Sequence, residues 1–190
     1  MRRSRKNPTH VLGVVGSPRR GGNTEILVDE VLAGAREAGA VTEKAILNEM
    51  DVNPCQACDE CYRTGRCVQE DGMHSLLEHM KESEVWVLGT PVYWWGPTAQ
   101  FKAFIDRWYG LNREMFKRKR VILAIPLGGG SDSYARHTTG MLMDILDYLG
   151  AEHYESLVST GSHSRGSIRG RTGLMNRARE TGREAVTSLR

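Results

Sequence analysis

The 190-residue chain has four cysteines, and none of them lies outside residues 55–67. Scattered cysteines of the kind that staple a small secreted scaffold are therefore missing. Long hydrophobic runs are missing too: no segment approaches the roughly 20 apolar residues that a membrane span requires. The apolar run at Val11–Val15 is too short for a signal-peptide core and ends in glycine and charge. A large excess of charge of one sign is missing, the formal net charge being only +3, so no nucleic-acid partner is expected. Much of that excess is Arg2, Arg3, Arg5 and Lys6, and residues 1–8 are read as a disordered basic tail. Two nucleotide signatures are also absent. A P-loop needs a lysine where this chain has Gly22, Asn23 and Thr24 after Gly16–Gly21, and GxGxxG fails because Gly13 and Gly16 are followed next by Gly21. A nucleoside triphosphatase is disfavoured, and a cytoplasmic protein with reduced thiols is expected.

What is present supports one globular domain over residues 9–190, with 39% hydrophobic and 26% charged residues. Apolar strand-like runs begin near Val11, Val41, Val85, Val121 and His153, and a helix-period pattern lies in each interval. One helix shows Leu27, Val31 and Ala35 on a face, a second Met73, Leu76, Leu77 and Met80, and a third Phe101, Phe104, Ile105 and Trp108. A fourth shows Met141, Ile145, Tyr148 and Leu149, and a more basic fifth runs from about Gly173 to Leu189. Strand alternating with helix predicts an α/β fold, a flavodoxin-like three-layer sandwich. Its five-stranded parallel sheet has order 2-1-3-4-5 with helices on both faces.

In such a sheet the loops at the carboxyl ends of the strands share one edge, and ligands bind between strands 1 and 3. The loop after strand 1, GSPRRGGNT, joins a buried strand to a helix and offers Ser17, Arg19, Gly22, Asn23 and Thr24. Asn23 is expected to cap the helix, Glu25 to make its first turn acidic, and the hydroxyls to seat a single terminal monophosphate such as that of FMN. An ordinary strand–helix turn is the plain alternative. The loop after strand 3 contributes Pro91, Val92, Tyr93, Trp94 and Gly96, suited to a planar heterocycle. The loop after strand 4 contributes Gly128, Gly129, Gly130 and Ser131, with Tyr134 following.

GSPRRGGNT at 16–24, TPVYWWGPTAQFKAFIDR at 90–107 and the glycines at 128–130 resemble the FMN-contacting segments of the NADPH-dependent FMN reductase family. The resemblance spans about residues 9–160. It implies FMN as cofactor and NAD(P)H as co-substrate. Within that family the chain most resembles the iron–sulfur flavoproteins, on account of an insertion at about 53–70. There Cys55, Cys58 and Cys61 repeat as CxxCxxC and Cys67 follows, so that four thiolates can serve one 4Fe–4S cluster. Zinc and free thiols without metal remain alternatives, and disulfides are disfavoured by the reducing compartment.

The resulting expectation is an FMN-dependent oxidoreductase taking electrons from NAD(P)H or a ferredoxin-type donor. It would pass them through FMN and the cluster to a small-molecule or protein acceptor, across a sheet edge shared by both centres. A cluster-free FMN or quinone reductase and a non-catalytic flavin-binding carrier or regulator are the other readings. No side-chain acid or base stands out, which suits chemistry carried by a cofactor. The six scattered histidines, His163 among them, show no metal spacing. The basic stretch at 161–171 is read as a mobile lid or interface arm. A homodimer or homotetramer is expected to cover the aromatic edge.

Overall fold

The computed structural model describes residues 7–189, so most of the expected basic tail lies outside the described residues. The β-branched runs become β1 (His10–Val15), β3 (Val85–Gly89) and β4 (Arg120–Pro126), buried almost throughout because both faces are covered. β2 (Val41–Ile46) and β5 (Glu152–Ser159) are more exposed and bring Glu43, Lys44 and Glu155 to the sheet's edges. Charge there discourages pairing with another chain. All pairings are parallel and the order is β2-β1-β3-β4-β5, as the alternation of elements predicts.

Because side chains alternate across a strand, neighbouring strand residues feed two different cores. Leu12, Val14, Trp86, Leu88, Leu123 and Ile125 pack with α3 (Met73–Glu82), α4 (Ala99–Asp106) and α5 (Arg136–Leu149). Val11, Val15, Val85, Val87, Ile122 and Ala124 pack with α1 (Asn23–Glu37) and α6 (Thr172–Thr187) on the other face. α2 (Glu60–Thr64), which the sequence pattern does not reveal, is a short turn of helix inside the cysteine segment.

α1 and α6 cross at two glycines. A Cβ on Gly34 would stand 1.8 Å from the Arg179 carbonyl oxygen, and one on Gly182 would stand 1.9 Å from that of Val31. Backbone therefore meets backbone, flanked by ion pairs from Arg179 to Glu30 and Glu37.

The sheet's hydrogen bonding continues past the strand ends and aligns the loops. Gly16 N–H donates to Gly89 O (2.7 Å), Thr90 N–H to Ala124 O (3.1 Å) and Leu127 N–H to Ser159 O (2.8 Å). Four loops consequently leave the same edge side by side.

Candidate functional site

The loop after β1 is shaped by Glu25, not by a cap. Gly22 is the N-cap of α1 and no side chain caps it, so Asn23 does not play its expected part. Gly21 turns the chain in the left-handed region (φ +60) and donates its N–H to Glu25 Oε2 at 2.7 Å. The other Glu25 oxygen takes Lys44 at 2.9 Å and Arg20 at 3.2 Å. Burial alone pushes the Glu25 carboxyl up, but Lys44, the Gly21 N–H and Arg20 outweigh it and hold the group below its ordinary range. Arg20 also reaches Glu49 at 3.0 Å. It is thus occupied by carboxylates, while Arg19 remains free to face the crevice.

Asn23 instead ties down the loop after β5. Its side-chain amide donates to Ser162 O and Ser164 O, each at 2.9 Å, and its Oδ1 accepts from Ile168 N at 3.2 Å. Ile168 is fully buried beneath α1, and Arg165 donates to the Arg20 carbonyl. The expected lid or arm at 161–171 is therefore a strap fastened to the loop after β1, held by bonds no local pattern announces.

Thr98 joins the loops after β1 and β3. Fully buried, it donates Oγ1–H to Gly16 O at 2.6 Å and accepts from Phe101 N–H at the start of α4. Ahead of it, Tyr93 and Gly96 close a tight turn with two backbone bonds, and Trp94 (φ 50) and Trp95 (φ 63) both stand in the left-handed region. Such a turn favours Asn-Gly, and bulky residues there are strained. It throws Trp94 outward to 92% exposure, while Trp95 meets Tyr134 edge-on at 6.2 Å. Tyr134 also lies against Gly129, where a Cβ would come within 2.4 Å of the ring.

Together these loops enclose a cavity of about 350 Å³. Ser17, Arg19, Gly22, Asn23 and Thr24 line it from the first loop, and Pro91, Val92 and Tyr93 from the second. Gly128 and Gly129 line it from the third. Trp94, Gly96, Gly130, Ser131 and Tyr134 do not line it: the left-handed turn carries Trp94 away, and Gly130 and Ser131 face a separate cavity with Arg171. Pro126, Leu127, Ser162, His163 and Arg165 also line it, none of them among the expected cofactor residues. Their position at the carboxyl ends of β4 and β5 was the available signal. The donor set fits a phosphate ester. Ser17, Thr24, Arg19, Arg165 and an uncapped helix start line it, with no carboxylate among the lining residues.

Residues 9–166 match the model of the NADPH-dependent FMN reductase family. The chain belongs to that family. This FMN reductase family member is 39% identical over 118 residues to an iron–sulfur flavoprotein of Methanocaldococcus jannaschii, covering 62% of this chain and 61% of that one. It is 31% identical over 154 residues to an iron–sulfur flavoprotein of Methanosarcina thermophila, covering 81% and 78% of the two chains. In fold it is similar to the NAD(P)H:quinone oxidoreductase from Methanothermobacter marburgensis, with a TM-score of 0.73, 20% identity, and coverage of 93% and 96%.

In this member of the family three of the cysteines belong to a second cavity. The segment folds against α3 and α4: Cys55, Cys61 and Cys67 line a cavity of about 680 Å³ with Met73, Leu77 and Arg107. Cys61 sits on Gly110, where a Cβ would come within 2.2 Å of its sulfur. No residue lines both this cavity and the phosphate-side crevice. Its neck, Asn53 and Asp71, is bonded to Arg107 at the end of α4. Cys55 and Cys58 are exposed and Cys61 and Cys67 half-buried. Among the described residues no group of three or more His, Cys, Asp or Glu side chains converges to hold a metal ion. The donor set nonetheless has the chemistry of a cubane site, four thiols with CxxCxxC spacing and three of them on one cavity. Burial pushes the Cys61 thiol up, and the neighbouring cysteines add to this.

Proposed function

We propose that the chain is an FMN-dependent NAD(P)H oxidoreductase that passes electrons through FMN and a 4Fe–4S centre on Cys55, Cys58, Cys61 and Cys67. The observation that supports it most is the meeting of four strand-end loops at one crevice with phosphate-binding groups on one pair and apolar groups on the other. In this reading Ser17, Thr24, Arg19 and the start of α1 bind the phosphate. Pro91, Val92 and Tyr93 bear on the ring and exclude water, and the Gly128–Gly129 backbone supplies N–H groups for negative charge on the reduced ring. FMN, when bound, supplies hydride acceptance and electron release, and the protein supplies position and field. The four cysteines would hold the cluster, which supplies single-electron capacity.

A cluster-free NAD(P)H-dependent FMN or quinone reductase is the second reading, favoured by the lack of a converged metal-holding group among the described residues. The visible and EPR spectra of anaerobically purified protein, before and after reduction, decide between them. The proposal expects flavin bands over a broad iron–sulfur absorbance and about four irons per chain. It also expects Cys58→Ser to abolish the iron signal while FMN stays bound. A flavin spectrum without iron, with NAD(P)H oxidation unchanged in Cys58→Ser, establishes the second reading. FMN binding without turnover by any nicotinamide would indicate a carrier.

A cytoplasmic homodimer or homotetramer belongs to the same proposal, since Trp94, Tyr62 and Tyr148 leave large aromatic surface uncovered. No helix among the described residues is long and apolar enough to cross a membrane. Light scattering is expected to give a multiple of 21.2 kDa; a monomeric mass counts against it.

A further inference from the structure

The cysteine segment is closed at its neck by one buried ion pair. Arg107 and Asp71 side chains are only 1% and 2% exposed. Arg107 donates Nη1–H to Asp71 Oδ2 at 2.6 Å and Nη2–H to Oδ1 at 3.1 Å, a two-pronged pair. The same Nη1 donates to Asn53 O at 2.9 Å, and Asp71 accepts from Asn53 N–H at 3.0 Å. Residues 53 and 71 are the two ends of the segment, so one guanidinium and one carboxylate hold both. Asp71 also accepts from Met73 N–H at 3.1 Å, which locks the neck to the start of α3.

Arg107 does more than close a loop. It lines the cavity that Cys55, Cys61 and Cys67 share, the Cys67 thiol lies beside its guanidinium, and its Nε–H is buried without a partner. A surface arginine would serve equally well to close a loop. One placed among thiols, permanently charged and screened from water, acts on whatever charge those sulfurs carry. The remaining cations on that cavity are less fixed: Arg66 is exposed and paired with Glu70, and Lys81 is exposed and paired with Glu78.

We infer that Arg107, held by Asp71, is a positioning residue that gathers the cysteine segment and sets the reduction potential of the centre formed on it. The inference rests on the cluster reading above. One-electron reduction of an iron–sulfur core held by four thiolates would add one negative charge, so a nearby fixed cation favours the reduced form. Arg107 and Asp71 together are neutral. Removing the guanidinium leaves a buried carboxylate, and removing the carboxylate's charge leaves a buried guanidinium.

Opposite signs therefore follow from two variants that loosen the same neck. In dithionite titrations of the iron-loaded protein followed by EPR, Arg107→Gln is expected to shift the potential negative and Asp71→Asn to shift it positive. Arg107→Lys, which keeps the charge, is expected to stay nearer the wild type than Arg107→Gln. A purely structural role would move the Gln and Asn variants in the same direction, and that result, or no shift in either, overturns the inference. A second measurement needs no iron. Limited proteolysis of apo-protein is expected to cut within 53–70 about tenfold faster in both variants, the order of effect expected when local opening is eased. FMN content should hold. Wild-type protein that takes up no iron ends the cluster reading, whereas unchanged cleavage in both variants ends the part assigned to Arg107.

Discussion

Gly34→Ala is expected to lower the stability of the protein by about 3 kcal/mol, although alanine is the better helix former. Propensity alone favours the substitution by roughly 1 kcal/mol. Against it stands a methyl group 1.8 Å from the Arg179 carbonyl oxygen, an atom that belongs to the backbone of α6 and cannot rotate away. Overpacking of this kind costs about 1–3 kcal/mol and occasionally more. The cost here sits at or beyond the top of that range, because α6 must withdraw bodily. Its withdrawal loosens the contacts of Ala178, Ala185 and Val186, all fully buried on that side of the sheet. Gly182→Ala places its methyl 1.9 Å from Val31 O and is expected to cost as much. For a chain of this size each variant should melt lower by about 6–12 °C. The double variant should lose less than the sum, since one separation relieves both clashes. Urea and thermal unfolding of the apo-protein check this, and a Gly34→Ala protein melting at or above the wild type would mean that the helices part without cost.

The frame was legible because its signals are local. Val11–Val15, Val85–Leu88 and Val121–Ile125 are apolar on both faces, and both faces are covered. The first loop was legible from its glycines and hydroxyls, and ten of the fifteen expected cofactor residues line the crevice. The remainder depended on contacts distant in sequence. Asn23 looked like a cap because caps are read from neighbours, whereas its partners lie 139 to 145 residues away. That Trp94 lies outside the cavity was not legible, because composition does not reveal that two successive tryptophans take left-handed backbone. The cysteines were legible from their spacing, but the tie of their segment to α4 was not, because the Arg107–Asp71 pair joins residues 36 apart in sequence.

Asn23→Ala is expected to weaken FMN binding by about 30- to 150-fold, through the strap it releases. The amide gives three good hydrogen bonds to residues 162–168, each contributing about 1 kcal/mol net. Losing two to three kcal/mol of strap stability converts to that range of affinity if the closed strap is the state that binds. Ser162, His163 and Arg165 would then leave the crevice wall together. A direct role for Asn23 at the phosphate predicts a similar affinity loss, so the two are separated by hydrogen exchange of 162–168 in the apo-protein. The strap account expects faster exchange in Asn23→Ala and none in Ser17→Ala, although both bind FMN less tightly by fluorescence titration. Asn23→Asp keeps the acceptor for Ile168 N–H and loses both donated bonds, and should fall between the wild type and alanine in exchange. Affinity lost with strap protection intact would make Asn23 a phosphate ligand instead. Affinity retained with the strap exchanging freely would show that the crevice binds without its fourth wall.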